Sequence, residues 1–527
     1  MIVYLVLVVL HIALGALWFG APLMIGSVLK KSAAAGQPAF AAATGVADRM
    51  ALLGGVGSAG AFLTGLTLIF SVYGGMKGLP VPFHIALTLV LVGVGLSFGA
   101  IKPTTGKLAQ ANAAADDPLS VYVHLPFCEE RCLFCGCHVI ISPHKEKAKP
   151  YLEMLEAEVE MIAGHLPDRR TVSQLHLGGG TPTYQSPPEL DRFLTHFFER
   201  FQAAPGAELA IEVDPRVTTS EHIDVLAGHG FNRISLGVQD FTHVVQESIN
   251  RVQSVEQTAA IIDRARAKGF TGVNVDLIYG LPHQTPDTFE TTVETVIELG
   301  ADRSAVYSFA FVPWIRGHQR KLMEDNLPSP ATKFELFGLV RERFLGAGYE
   351  PIGMDHFAKP DDELSVAKAA GDLRRNFQGY AVIPADDVVA LGISGIGDLQ
   401  GAYVQNMKKL STYRDAIAAG ELPVEKGYLL SEDDGVRRVV IHQFMCNFRI
   451  DRRAIEQRFD LDFATYFAED LRRLAEHEQH GLVTVADDAI QATPEGELFI
   501  RNLAMCFDVH WREKHEGKGK NLFSKTV

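Results

Sequence analysis

The 527 residues predict an α/β fold of parallel strand–helix units, preceded by three apolar helices and followed by a mostly helical C-terminal part. Three observations carry this. Strand candidates alternate with helical stretches over the middle of the chain, the pattern of parallel βα units. Three long N-terminal stretches hold no charged residue. Near the end, three helical stretches precede a short ribbon and a last helix, a winged-helix-like order.

The apolar stretches come first. Ile2–Leu29, Met50–Met76 and Gly78–Ile101 each exceed the roughly 20 residues that cross a bilayer core. The second, rich in Gly, Ala, Ser and Thr, suits close helix packing. The start, MIVYLVLVVLH, lacks the basic region of a signal peptide. Lys30, Lys31 and Arg49 separate the first two stretches, Lys102 and Lys107 follow the third, and Lys77 alone lies on the other side. The positive-inside rule then gives a multi-pass membrane protein with its N-terminus outside and its catalytic part in the cytoplasm. Residues 1–105 are thus expected to be a membrane domain, with helices at about 2–29, 50–76 and 78–101. His11 and His84 inside it leave two readings open, haem ligation and hydrogen bonding between helices. Residues 106–118, which include the small and polar AQANAAADD, read as a linker.

The charge is as unevenly placed as the apolar surface. Of 49 Lys and Arg and 63 Asp and Glu, residues 1–117 hold six and three, so the rest is strongly acidic. Nucleic acid, which needs a basic footprint, is excluded as a partner. The same holds for the winged-helix-like part, where 433–508 carry 15 acidic and nine basic residues.

Leu119–Leu125 (LSVYVHL) reads as a buried strand and runs into PFCEERCLFCGCH. Four of the six cysteines fall here, too tightly for a disulfide framework. Cys128, Cys132 and Cys135 are spaced C-x3-C-x2-C, and Cys137 follows. Three thiolates on one loop can hold three irons of a cubane cluster and leave the fourth open, unlike an electron-transfer cluster with four Cys ligands. Structural zinc would use a second pair from elsewhere, and Cys446 and Cys506 are isolated. Further strands are expected at Gln174–Leu177, Glu208–Val213, Arg233–Gly237, Gly272–Tyr279 and Ser304–Ala310. Sites in parallel barrels lie at the strand C-terminal ends. Gly178–Gly180 with Thr181, Glu212, Gln239, Asp276 and Tyr279 all fall there. The glycines allow close backbone approach to a ligand, and no Gly-Lys-Ser/Thr follows to make a phosphate loop. Glu212 and Asp276 suit hydroxyls or an ammonium; Arg251 suits a carboxylate.

The C-x3-C-x2-C after a first strand, with Phe134 before its third Cys, resembles the signature of radical S-adenosylmethionine (SAM) enzymes. From about Leu119 onward the sequence resembles the oxygen-independent coproporphyrinogen III oxidase family. The blocks are YVHLPFCEERCLFCGCH, QLHLGGGTPTY, IEVDPR, GFNRISLGVQDF, DLIYGLPHQTP, GMDHFAKPDDEL, RNFQGY and CNFRID, with DFATYFAEDL and RNLAMCFD near the end. The family's usual PRYTSYP-like N-terminal motif is absent, and the block expected to read Ser-Ala-Ile-Ser reads Ser394-Gly395-Ile396-Gly397.

The resemblance implies a partial (β/α)6 TIM-like barrel over 119–400 and a helical cap over 401–527. It implies a [4Fe-4S] cluster on Cys128, Cys132 and Cys135, and two SAM molecules. Tyr122, Gly179, Glu212 and Ile396 match positions touching the first; Phe134, Gly180, Thr181, Gln239, Arg251, Asp276 and Ala310 match the second. Cys137 is held open as a residue of the reaction, and no catalytic residue is otherwise assigned. The implied reaction turns two propionates of coproporphyrinogen III into vinyl groups, giving protoporphyrinogen IX in haem biosynthesis. A one-electron donor such as flavodoxin or ferredoxin is implied as partner. A haem-binding or trafficking protein, and another radical SAM reaction on a tetrapyrrole, stay as alternatives.

Overall fold

The computed structural model describes residues 101–114, 117–383 and 387–515. The three apolar stretches, with His11 and His84, lie outside the described residues. The expected multi-pass membrane placement is corrected: among the described residues no helix is long and apolar enough to cross a membrane.

The linker expectation also changes. Helix α1 (Ile101–Ala113) occupies much of it, with Leu108 and Ala111 buried. The cause lies 50 residues on: the buried Arg169 guanidinium donates to the carbonyls of Ala111, Asp117 and Pro118 and pairs with Asp387. A cation on the last carbonyls of a helix satisfies groups that local sequence leaves unpaired.

Strand β1 (Leu119–Leu125) is buried along its whole length because it is central. It pairs in parallel with β2 (Thr171–Gly179), which continues through β3 (Gln202–Val213), β4 (Arg233–Gln239), β5 (Gly272–Tyr279) and β6 (Arg303–Ser308), all parallel. Helices α2 (Lys149–His165), α3 (Pro187–Arg200), α4 (Ser220–Gly228), α5 (Val255–Ala267), α6 (Pro286–Glu298) and α7 (Pro330–Gly346) alternate with the strands. Their starts are locally encoded. Ser186 with Glu189, and Ser254 with Gln257, form capping boxes. Apolar stripes pack them on the sheet: Phe289, Val293 and Val296 of α6 and Leu336, Val340 and Phe344 of α7 close over Val275 and Leu277 of β5.

The sheet is larger than six strands. After β6 come the antiparallel β7 (Glu350–Ile352) and β8 (His356–Ala358), with β8 beside β6. On the other side, β9 (Val388–Leu391) joins β1 in parallel. It is followed by antiparallel β10 (Ile396–Leu399), β11 (Ala402–Asn406) and β12 (Val424–Leu429). The order is β12-β11-β10-β9-β1-β2-β3-β4-β5-β6-β8-β7, an open barrel wall rather than a closed ring. A boundary at 400 therefore falls inside this sheet, in the tight connection between β10 and β11.

The helical part forms its own core behind Ser431, whose side chain caps Glu432–Asn447. Phe444, Ile455, Phe463, Phe467, Leu474, Ile490, Leu503 and Phe507 are buried in it. Its ribbon has a third strand, Arg449–Asp451, which pairs with Ala489–Ala492 on the edge opposite Val483–Val485.

Candidate active site

The C-terminal ends of the parallel strands and the loop after β1 enclose a cavity of about 420 Å3. Cys128, Cys132, Cys135, Cys137 and Phe134 line it from the loop; Gly179, Gly180, Thr181, Glu212, Gln239, Arg251 and Asp276 line it from the strand ends. Of the site residues read from sequence, these twelve come together.

The loop is laid over the barrel by backbone bonds. Gly180 N–H donates to the Leu125 carbonyl at 2.9 Å, Thr181 N–H to Phe127 at 2.9 Å and Ile140 N–H to Pro126 at 2.7 Å. This explains the glycine run in part. A Cβ on Gly180 would stand 2.6 Å from the Pro126 carbonyl, and one on Gly179, at φ +109°, 2.4 Å from the His124 ring. Here the glycines admit neighbouring protein first.

All of these cysteines are free thiols. Cys128 Sγ lies 3.5 Å from Thr181 Oγ1. Cys132 Sγ accepts from Arg251 Nη1 at 3.5 Å and Arg216 Nη2 at 3.6 Å. Cys135 Sγ accepts the Cys137 N–H at 3.4 Å. Hydrogen bonding from Cys137 draws the Cys135 thiol down to about 6 against the effect of burial, with Arg251 and Arg131 assisting. Among the described residues no three His, Cys, Asp or Glu side chains converge on one point as for a single metal ion. Three sulfurs spread around a cavity, with guanidinium groups on one and an N–H on another, fit a multi-iron cluster better than zinc.

Both arginines are fixed by Asp214. Arg216 grips it with Nε at 3.0 Å and Nη2 at 2.7 Å, and Arg251 Nη1 donates at 2.9 Å. Burial would raise the Asp214 carboxyl, but Arg251 and Arg216 hold it below its ordinary value. Arg251 also donates to the Gly237 carbonyl at 2.5 Å. Asp214 and Arg216 were not singled out from sequence, although IEVDPR puts both just past the end of β3.

Glu212 accepts from His176 at 3.1 Å and from the Gly179 N–H at 3.2 Å. Burial works against its charge, yet the imidazole bond and charge outweigh it and lower the carboxyl. Asp276 is pushed the other way, to about 6, by burial and the Glu212 charge; bonds from Asn274 at 2.7 Å and Ser235 at 3.1 Å only moderate this. Gln239 sits at φ 70°, left-handed backbone that a non-glycine residue holds only at a cost, at a bulge ending β4.

Three expected contact residues do not line the cavity. Tyr122 is one step behind it, bonded to His124 at 3.0 Å and stacked on His176. Ile396 is on β10, pairing with Gln405, because the antiparallel extension carries it beyond β9. Ala310 lies past β6, which ends at Ser308; Gln319 Nε2 ties its carbonyl, at 3.0 Å, to that of Phe134, at 3.1 Å.

A second cavity, about 130 Å3, shares Glu212, Ser235 and Asp276 with the first and descends to the strand N-terminal ends. Asn376, Gln378, Gly379 and Tyr380 of the RNFQGY block line it.

Comparison with known proteins agrees with this geometry. Residues 122–296 match the Radical SAM superfamily model and 430–499 the HemN C-terminal domain model. The chain is 45% identical over 397 residues to the oxygen-independent coproporphyrinogen III oxidase of Salmonella typhimurium, covering 75% of this chain and 87% of that protein. The Escherichia coli K12 enzyme of the same name is 46% identical over 401 residues, with the same coverage. The solved structure of the Escherichia coli coproporphyrinogen III oxidase HemN, described as a radical SAM enzyme, superposes with a TM-score of 0.74 at 46% identity, covering 76% of this chain and 93% of that one.

Proposed function

We infer the activity from one premise: this chain belongs to the oxygen-independent coproporphyrinogen III oxidase family. It is a radical SAM oxidoreductase that converts coproporphyrinogen III to protoporphyrinogen IX without oxygen. The observation that carries this reading is the convergence of the three spaced cysteines with Glu212, Arg251 and Asp276 on one cavity at the strand C-terminal ends.

When bound, the [4Fe-4S] cluster and SAM supply one-electron reduction and hydrogen-atom abstraction from the propionate side chain. The protein's part is positional. Cys128, Cys132 and Cys135 hold the cluster. Arg216 and Arg251 sit on Cys132 Sγ, where positive charge offsets the charge of bound thiolates. Asp214 keeps both guanidinium groups in place. Glu212 and Asp276 would accept bonds from the hydroxyl and ammonium groups of bound SAM, and Gly179–Thr181 with Gln239 would form the wall beside it. By resemblance to the family the site would hold two SAM molecules, with Phe134, Gln239 and Arg251 among the residues holding the second. No general base is required at the propionate C–H bond, because that bond would be cleaved by hydrogen-atom transfer rather than deprotonation.

The test is anoxic. Protein loaded with iron and sulfide is given SAM, coproporphyrinogen III and a reductant, and the tetrapyrrole is analysed by mass. Loss of two carboxyl groups with release of 5′-deoxyadenosine is expected. An unchanged tetrapyrrole, or a product that keeps all its carboxyl groups, removes the assignment.

A further inference from the structure

Resting on that reading, which requires an electron from outside, we propose that the segment Val312–Met323 with Arg131 is the docking face for an acidic electron-carrier protein such as flavodoxin.

The segment is packed against the outer side of the cysteine loop. His318 Nε2 bonds the Cys135 carbonyl at 2.9 Å, and Gln319 Nε2 bonds that of Phe134 at 3.1 Å. Beneath it, Leu322 and Phe311 share an apolar cluster with Leu133 and Phe134. The segment is thus one hydrogen bond away from a cluster-binding residue; Val312–Met323 does not line the cavity where SAM would lie, and of the proposed face only Arg131 does. A partner seated on the segment reaches the cysteine loop from the His318 side and meets the cavity only at Arg131.

Its surface combines two features of transient interfaces. Trp314, Ile315 and Met323 are exposed by 53%, 57% and 67%, though Leu322 beside Met323 is buried. Aromatic and Met side chains are enriched at interfaces. The charge is opposite to that of the chain, whose net charge is −14. Arg131, Arg316 and Lys321 supply three cations on this face. Arg320 adds a fourth cation. Among the described residues none of Arg131, Arg316, Arg320 and Lys321 forms a salt bridge, and Glu129 of the same loop is paired with Lys145. A basic island on an acidic protein attracts an acidic partner and steers its approach. Electrons balance simply: flavodoxin hydroquinone loses one to become the semiquinone, and the cluster gains it.

The experiment compares the wild type with the triple variant Arg316→Glu, Arg320→Glu, Lys321→Glu, both loaded with iron and sulfide. Reduction by flavodoxin hydroquinone is followed by anoxic stopped-flow at low salt, and binding by calorimetry. The variant is expected to be reduced about tenfold more slowly, the smaller end of what charge steering contributes. Its rate also loses most of its salt dependence, while reduction by dithionite matches the wild type. Trp314→Ala is expected to weaken calorimetric binding while leaving the salt dependence in place. Flavodoxin reduction and binding at wild-type values in the triple variant overturn the proposal. Failure of wild-type turnover with dithionite sinks the enzymatic reading instead, and calorimetry still decides the docking face.

Discussion

At the strand N-terminal ends, Arg303 holds Asp362 at 2.7 Å and Glu363 at 2.6 Å, and Arg233 reaches Glu363 at 2.6 Å and Glu208 at 4.0 Å. At the C-terminal ends, Glu212 and Asp276 form no Lys or Arg ion pair among the described residues; their partners are His176, the Gly179 N–H, Ser235 and Asn274. Both regions belong to one barrel interior and touch the same second cavity. In the floor, charges neutralise one another and the result is structure. In the mouth, two carboxylates are left on one cavity; burial first and the Glu212 charge second raise Asp276, and the arrangement favours a cationic, hydroxyl-bearing ligand.

The largest expected effect lies in the mouth. Cys132→Ala removes a cluster ligand and the sulfur on which Arg216 and Arg251 converge. Cluster absorbance after iron and sulfide loading and decarboxylation of coproporphyrinogen III should both fall to background, with the melting temperature of the unloaded protein little changed. A variant that keeps both cluster and turnover breaks the assignment of the loop.

The floor should respond in the opposite way. Arg303→Met leaves Asp362, Glu363 and Glu208 short of a buried cation, and breaking a buried pair typically costs roughly 3–5 kcal/mol. Chemical denaturation should show that loss, while turnover per folded, cluster-loaded molecule stays near wild type. If turnover drops with stability intact, the floor is functional and the contrast fails.

Asp276→Asn sits at the meeting point of the two. Its carboxyl, raised to about 6, binds SAM best when ionised, so affinity in the wild type should weaken as pH falls through about 6. Losing a charged hydrogen bond of about 1.5–3 kcal/mol predicts roughly 10- to 100-fold weaker SAM binding in the variant, without that pH limb. Stability should move the other way. The folded state holds this proton more tightly than the unfolded chain, so wild-type stability declines as pH rises between about 4 and 6. Asn removes that decline and stabilises the protein at pH 7 by at most about 3 kcal/mol. Isothermal titration across pH, paired with denaturation, reads both.

How much of this was legible in the sequence follows from range. The six parallel strands, the cysteine spacing, Glu212, Gln239, Arg251 and Asp276 were readable because strand period and barrel register are local rules, and strand ends in one register face one cavity. Asp214 and Arg216 take their meaning from Cys132, 82 and 84 residues earlier in the chain, which only the folded loop brings near. Strand β9 escaped notice because it is four residues long, and its pairing with β1 spans most of the barrel. Helix α1 was read as linker because its composition is polar and its burial depends on Arg169. Tyr122, Ile396 and Ala310 came from resemblance alone, and the geometry puts each beside the cavity wall rather than on it.

The smallest expected effect concerns a carboxyl outside both regions. Glu158 of α2 is buried and receives three donors, the Gly392 N–H at 2.7 Å, Asn406 Nδ2 at 2.7 Å and the Tyr413 hydroxyl at 2.6 Å, with no cation. It binds α2 to the turn after β9 and to β11. Burial raises it to about 7 in spite of those bonds. The sign is therefore that of Asp276: the folded state keeps the proton, so stability is greatest below about 4.5 and declines as pH rises to about 7, by at most about 3 kcal/mol. Glu158→Gln should flatten that window in denaturation curves. Below pH 5 the protonated wild-type carboxyl brings one O–H among these three donors and the Gln amide brings two N–H, an excess donor that costs about 1–3 kcal/mol. Turnover should be unchanged. A Glu158→Gln protein with the wild-type slope would mean that Glu158 is ionised throughout, and that three neutral donors stabilise a buried charge as well as the arginines of the floor do.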